Sequence, residues 1–215
     1  MMKVIKVAAS VLKVNDTIAL ENQAAFRDNN VFVVNVMGSP GAGKTSLLLR
    51  TIEALKDNIR IGVIEGDIAT SHDAELIQAT GVPVVQINTE GACHLDAMMI
   101  KMALTHFNLA EIDLLFIENV GNLVCPAGFR LGENARVVVS SVPEGDDKPK
   151  KYPGMFRIAD GVVLNKIDLL HAFEFNINTF KEDVRRAGEL PIFEVSCKTK
   201  DGLSVWLDWL GVKKK

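Results

Sequence analysis

Residues Gly38-Ser39-Pro40-Gly41-Ala42-Gly43-Lys44-Thr45 constrain this chain more than any other segment. They fit G-x-x-x-x-G-K-[ST] in full, after the apolar, β-branched run Val31–Val36 and before the helically spaced Lys44–Leu55. Such a motif works only as a strand, a glycine turn and a helix. The glycines let backbone N–H groups curl around phosphate oxygens with no Cβ in the way. The helix adds unpaired N–H groups and the positive end of its dipole. Lys44 can reach the β- and γ-phosphates, the Thr45 hydroxyl can ligate Mg²⁺, and Ser46 follows in the first helical turn.

Strand-like and helix-like segments alternate through the rest of the chain. Ile59–Ile64, Val82–Ile87, Asp113–Ile117, Ala135–Ser140, Gly161–Leu164 and Pro191–Val195 read as strands. Asp73–Ala79, His94–Phe107, Phe173–Ala187 and Leu203–Leu210 read as helices. Ahead of them, residues 3–29 read as helical: a short amphipathic piece, then Asp16–Asp28, ended by Asn29-Asn30. Alternation of this kind implies crossover units. The nearly continuous apolarity of the strands implies helices on both sheet faces. The expected fold is α/β: a P-loop NTPase with a mostly parallel sheet, formed by residues 1–215 as one domain with a helical N-terminal segment over about residues 1–30.

Composition narrows the function. Apolar residues are 48% and charged residues 24%, which excludes wholesale disorder and coiled-coil architecture. With 24 basic and 27 acidic residues, no global positive field exists to hold nucleic acid. No uncharged apolar run approaches the ~20 residues of a membrane span. Lys6 and Lys13 interrupt the N-terminal apolar stretch, making it a poor secretory signal. Three widely spread cysteines suggest free thiols or metal ligands in a reducing compartment. A cytoplasmic location without nucleic-acid or membrane partners is expected.

In such folds ligands sit at the carboxyl ends of the strands, and the remaining motifs lie there. The strand Asp113–Ile117 runs into Glu118, followed by Gly121. This puts an acid near the magnesium and an N–H near the γ-phosphate. The segment Glu65–Asp73 offers Asp67 and Asp73 as further metal or water-positioning groups; solvated helix-start carboxylates are the alternative. Lys44, Asp67 and Glu118 are the candidate catalytic residues. Asn165-Lys166-Ile167-Asp168 closes another strand as N-K-x-D. A carboxylate such as Asp168 can accept from the ring N–H and exocyclic amine of guanine together, a donor pair that adenine lacks, so GTP is preferred over ATP. Ser196-Cys197-Lys198 resembles the S-A-K loop that supports the guanine carbonyl by a backbone N–H.

Cys93 and His94 fall at an expected loop-to-helix junction, where helix-start N–H groups would favour the thiolate. Cys125 lies four residues beyond Gly121. Two thiolates and an imidazole suit Zn²⁺ or Ni²⁺ better than Mg²⁺. Two buried cysteines and a surface histidine are the alternative. Cys197, His72, His106 and His171 look isolated. Lys148, Lys150, Lys151 and Lys213–Lys215 read as solvated charge.

The set resembles the nickel-insertion GTPases of hydrogenase maturation, the HypB family. The distinguishing pieces are Cys93-His94-Leu-Asp-Ala, Glu118-Asn-Val-Gly121-Asn-Leu-Val-Cys125-Pro, and Glu144-Gly-Asp-Asp before Pro153-Gly154. The resemblance implies slow GTP hydrolysis, a nucleotide-dependent homodimer, and Ni²⁺ or Zn²⁺ carried at the subunit interface by Cys93, His94 and Cys125. It implies a hydrogenase large-subunit precursor and a companion nickel-binding maturation protein as partners. It also places Lys151 near the nucleotide of the partner subunit. The N-terminal Cys-x-x-Cys-Gly-Cys motif of many bacterial members and the His-rich stretch of some do not occur in this sequence, as in archaeal-type members. A transient metal site on the GTPase domain is therefore expected in place of tight storage. The alternatives are a urease-type nickel-insertion GTPase, whose Cys-Pro-His motif does not occur here, and a P-loop kinase with no metal-carrier role.

Overall fold

In the computed structural model, residues 7–68 and 71–211 are described. Residues 3–6 of the expected amphipathic piece, Ala69, Thr70 and Lys213–Lys215 lie outside them. Helix α1 (Val7–Asp28) leads into β1 (Phe32–Gly38), α2 (Lys44–Leu55), β2 (Ile61–Asp67), α3 (His72–Gln78), β3 (Val84–Asn88) and α4 (Ala97–Leu104). Then come β4 (Leu114–Glu118), β5 (Ala135–Ser141), the short helices α5 (Lys148–Lys151) and α6 (Pro153–Arg157), β6 (Gly161–Asn165), α7 (Ile177–Ala187), β7 (Ile192–Glu194) and α8 (Leu203–Trp209).

The seven strands form one sheet in the order β3-β2-β4-β1-β5-β6-β7, every neighbouring pair parallel. Side chains alternate across it as strand geometry requires. Val34 and Val36 of β1 join Leu47, Leu48, Ile77 and Trp206 beneath α2, α3 and α8. Val33 turns the other way, into the cluster of Phe26, Leu95, Ile100 and Leu115 under α1 and α4. Met37 meets Phe156 and Phe180 from α6 and α7. Both faces are covered, as the apolar strands imply, and the sheet is the parallel α/β architecture expected of a P-loop NTPase.

Some element boundaries differ from those read in the sequence. The N-terminal helical region is one continuous helix from Val7, closed by Asn30 in the left-handed region (φ 56°) and by the Val31 amide donating to the Phe26 carbonyl at 2.9 Å. Helix α4 starts at Ala97 and not at His94, because the Asp96 carboxylate caps it, accepting from the Met99 amide at 2.8 Å. Likewise α7 starts at Ile177, capped by Asn176, which accepts from the Asn178 and Thr179 amides. The Pro-interrupted helices α5 and α6 have too few residues to show a period of 3.6.

Candidate functional site

The carboxyl ends of β1, β2, β4 and β6 converge. Gly38 closes β1, and the loop that follows turns into α2 at Gly43, whose φ of 95° is left-handed. A Cβ on Gly43 would lie 2.3 Å from Asn165 Nδ2, so this position requires glycine twice over. That Asn165 amide donates to the Ala42 carbonyl at 3.1 Å, and Lys166 Nζ donates to the Gly41 carbonyl at 2.7 Å. The N-K-x-D segment therefore holds the phosphate loop directly, which its separation of more than a hundred residues conceals.

A cavity of about 510 Å³ opens above the loop, with Lys44, Thr45, Glu65, Asp67, Asp73 and Glu118 in its wall. Thr45 Oγ1 donates to Glu118 Oε1 at 2.9 Å. Lys44 Nζ stands 4.0 Å from the same oxygen and 3.5 Å from the Ser39 carbonyl. Gly121 also lines the cavity, and a Cβ there would approach the Pro40 backbone to 2.9 Å. The loop after β4 thus rests on the phosphate loop.

Glu65 is a wall residue that the sequence reading passed over. It is 2% exposed, and its Oε2, like that of Glu118, has no hydrogen-bond partner. Burial pushes the Glu65 carboxyl up to about 8, helped by the charges of Glu118, Asp67 and Asp73. Glu118 is pushed up to about 7 by burial, against the pull of Lys44 and the Thr45 hydrogen bond. Carboxylate oxygens of Glu65, Asp67 and Asp73 lie within 4.8 Å of one another. An all-oxygen set beside a phosphate loop, with two buried acceptor oxygens unsatisfied, fits a hard divalent cation such as Mg²⁺.

A second cavity of about 580 Å³ shares Ser46, Leu49 and Lys166 with the first and adds Asn165, Asp168, Cys197 and Lys198. The Ser196 hydroxyl donates to Asp168 Oδ1 at 2.7 Å and so orients the carboxylate. Asn165 Oδ1 accepts from the Lys166 and Cys197 amides at 2.7 and 3.2 Å. Burial pushes the Cys197 thiol up to about 11, consistent with a packing role.

Across the β4 loop, Cys93 Sγ, His94 and Cys125 Sγ offer ligand atoms within 4.8 Å of one another. Cys93 Sγ is 3.7 Å from His94 Nδ1, and the imidazole stacks on Phe129 at 3.9 Å between centroids. Phe129 is the sequence-missed member of this cluster. The expected helix-start activation of Cys93 does not occur, since α4 begins at Ala97. Its thiol is instead pushed up by the hydrogen bond with Cys125 and by burial. Burial lowers the His94 pKa and favours the neutral imidazole that a metal requires. His72, His106 and His171 join no such group among the described residues. Lys151 sits on α5, pairs with Asp147 at 2.5 Å and lines neither cavity.

A parallel sheet with a glycine loop between β1 and α2, and a carboxylate closing the adjacent strand against that loop, defines a P-loop nucleotide-binding protein. Residues 32–192 match the family model described as the CobW/HypB/UreG nucleotide-binding domain. The hydrogenase maturation factor HypB of Azotobacter vinelandii is 49% identical over 209 residues, covering 97% of this chain and 69% of that protein. The crystal structure of HypB from Archaeoglobus fulgidus superposes with a TM-score of 0.87 at 41% identity, over 93% of this chain and 98% of the other. A HypB structure from Helicobacter pylori, solved in complex with nickel, gives a TM-score of 0.87 at 41% identity, over 93% and 94% of the two chains. The chain belongs to the HypB family of hydrogenase maturation factors.

Proposed function

We propose that this chain is a Mg²⁺-dependent GTPase that acts as a nickel metallochaperone and regulator in the maturation of nickel–iron hydrogenase. Residues 1–215 act as one GTPase domain with α1 as its N-terminal segment. The loop amides of Gly38–Thr45 and the Lys44 ammonium hold the β- and γ-phosphates, and the Gly121 N–H meets the γ-phosphate. Asp168 reads the guanine donors, Lys166 lies along the base, and the Ser196–Lys198 loop closes the pocket. Thr45, Asp67, Asp73 and Glu118 would hold Mg²⁺, which when bound neutralises charge on the phosphate oxygens. Lys44 faces the charge that develops on transfer to water. No arginine or glutamine is assigned to the attacking water, in keeping with a slow intrinsic rate.

Cys93, His94 and Cys125 carry the cargo, Ni²⁺ or Zn²⁺, at the interface of a nucleotide-dependent homodimer. There Lys151 approaches the nucleotide of the partner subunit, and a companion nickel-binding protein and the hydrogenase large-subunit precursor are the delivery partners. A cytoplasmic location follows from the reduced state that the thiols need.

The observation that carries this reading is the convergence of two thiols and an imidazole within 4.8 Å, with one thiol on the loop that continues from Glu118 and Gly121. Nickel as the cargo is supported by the Helicobacter pylori relative, which was solved in complex with nickel. The test is a binding panel of GTP, GDP and ATP with and without Ni²⁺. Selective guanine-nucleotide binding whose strength changes with Ni²⁺ is expected. Equal binding of ATP, or no effect of nickel, would contradict it.

A further inference from the structure

We propose that Asn119 is the positioning residue that makes the geometry of the Cys93–His94–Cys125 cluster depend on the bound nucleotide. The inference rests on the reading of that cluster as a metal site. It adds the physical element through which the two sites communicate.

Asn119 follows Glu118, lines the phosphate cavity and is 1% exposed. Its backbone amide donates to the Val36 carbonyl at 2.9 Å, which anchors it to β1. The side-chain oxygen is a shared acceptor. It takes the Leu95 amide at 3.1 Å and the Val120 amide at 3.0 Å. Leu95 is the residue after His94, and Val120 starts the loop that runs through Gly121 to Cys125. One amide oxygen therefore ties the two ligand-bearing segments together, at the end nearest the nucleotide. The Asn119 Nδ2 donates to Asn35 Oδ1 at 3.2 Å, and Asn35 in turn donates to Glu133, so the side chain has no freedom to swing and follow.

The Leu95 side chain adds a second constraint. It is fully buried, and a Cβ on Gly66 would lie 2.7 Å from it. Gly66 sits between Glu65 and Asp67 at the end of β2. The His94 side of the cluster is thus wedged against β2 and hung from Asn119. Its far ends are held by α1: Asn15 accepts from the Ala97 amide at 2.9 Å and donates to the Arg130 carbonyl at 2.8 Å. When Val120 and Gly121 move to meet or release a γ-phosphate, the Asn119–Val120 peptide turns beneath the pinned side chain, and the hold of its oxygen on the Leu95 amide changes with that turn. One segment must shift relative to the other, and the spacing of the three ligands changes with it. Coupling of this kind is reciprocal.

The test is a Ni²⁺ titration of the full chain loaded with GDP or with a non-hydrolysable GTP analogue, for the parent, Asn119→Ala and Asn15→Ala. The parent should show different nickel affinities in the two nucleotide states. Asn119→Ala should bring their ratio to within about twofold of unity. Asn15→Ala loosens the same segments from the α1 side; it should weaken nickel in both states and keep the ratio. A parent-like ratio in Asn119→Ala would overturn the inference while leaving the metal reading intact. Nickel binding that survives Cys125→Ala unchanged would overturn both. If Asn119→Ala does not fold, hydrogen exchange of the Leu95 amide in the parent decides the matter. Protection that differs between the two nucleotide states supports the inference, and identical protection overturns it.

Discussion

Glu65 and Glu118 stand opposite each other in the register of the parallel strands β2 and β4, each with one buried carboxylate oxygen unsatisfied. Both are held above the ordinary carboxylate value of 4.5, Glu65 at about 8 and Glu118 at about 7. The folded protein free of metal and nucleotide therefore binds protons that the unfolded chain has released. Its stability should fall as pH rises from the unfolded carboxylate range through the folded values, and level off above them. Thermal unfolding between about pH 5 and pH 9 measures this. Glu65→Gln should flatten the slope, and saturating Mg·GDP should reduce it by favouring the ionised forms. A stability that rises over that interval would contradict the account.

Asp168→Asn should weaken GTP by roughly 10–100-fold, the scale of a lost hydrogen bond to a charged group. It should also shift preference toward xanthosine triphosphate, because an asparagine amide can donate to the carbonyl that replaces the guanine amine. Competition binding with both nucleotides checks it. Ser196→Ala, which frees Asp168 to rotate, should weaken GTP to a smaller extent.

Lys44→Ala should abolish hydrolysis and weaken triphosphate binding more than diphosphate binding. The ammonium is buried between the Ser39 carbonyl and Glu118, and in the proposed mechanism it faces the developing charge. Single-turnover hydrolysis measures the loss. A turnover like that of the parent would place the lysine away from the phosphates.

Asn22→Ala should destabilise the fold by about 1–3 kcal/mol, the cost of leaving buried groups unsatisfied. The Asn22 side chain is 2% exposed and donates to the carbonyls of Ala97 and Leu131 at 2.8 and 3.0 Å. Chemical denaturation gives the figure. A variant as stable as the parent would show that α1 is not held there.

The glycine loop between β1 and α2, the parallel sheet and the approximate strand positions are legible in the sequence because they depend on local spacing and apolar runs, whereas the strand order is set by long-range pairing and is not. Gly38–Thr45 and Asn165–Asp168 announce their chemistry in consecutive residues. The members that escaped notice act across long sequence separations. Asn15 and Asn22 look like the polar face of a helix until they are found bridging α4 and the Arg130–Leu131 segment. Asn119 is one letter in a strand-end motif, and its significance lies in a hydrogen bond to Leu95, twenty-four residues away. Glu65 reads as a neighbour of Asp67 until burial separates the two. Helix α4 starts three residues later than its sequence pattern suggests because Asp96, and not Cys93, supplies the cap. That moves Cys93 and His94 off the helix and into a loop, where they can meet Cys125.

Two thiols and an imidazole from Cys93, His94 and Cys125 would give bound nickel a distinctive ligand signature. Ni²⁺ X-ray absorption on the GDP-bound protein reads that signature. Sulfur scattering from two thiolates with an imidazole contribution is expected, reduced to one sulfur in Cys125→Ala and removed in the Cys93→Ala, Cys125→Ala double variant. A spectrum of oxygen and nitrogen ligands alone, or one unchanged in the double variant, would contradict it.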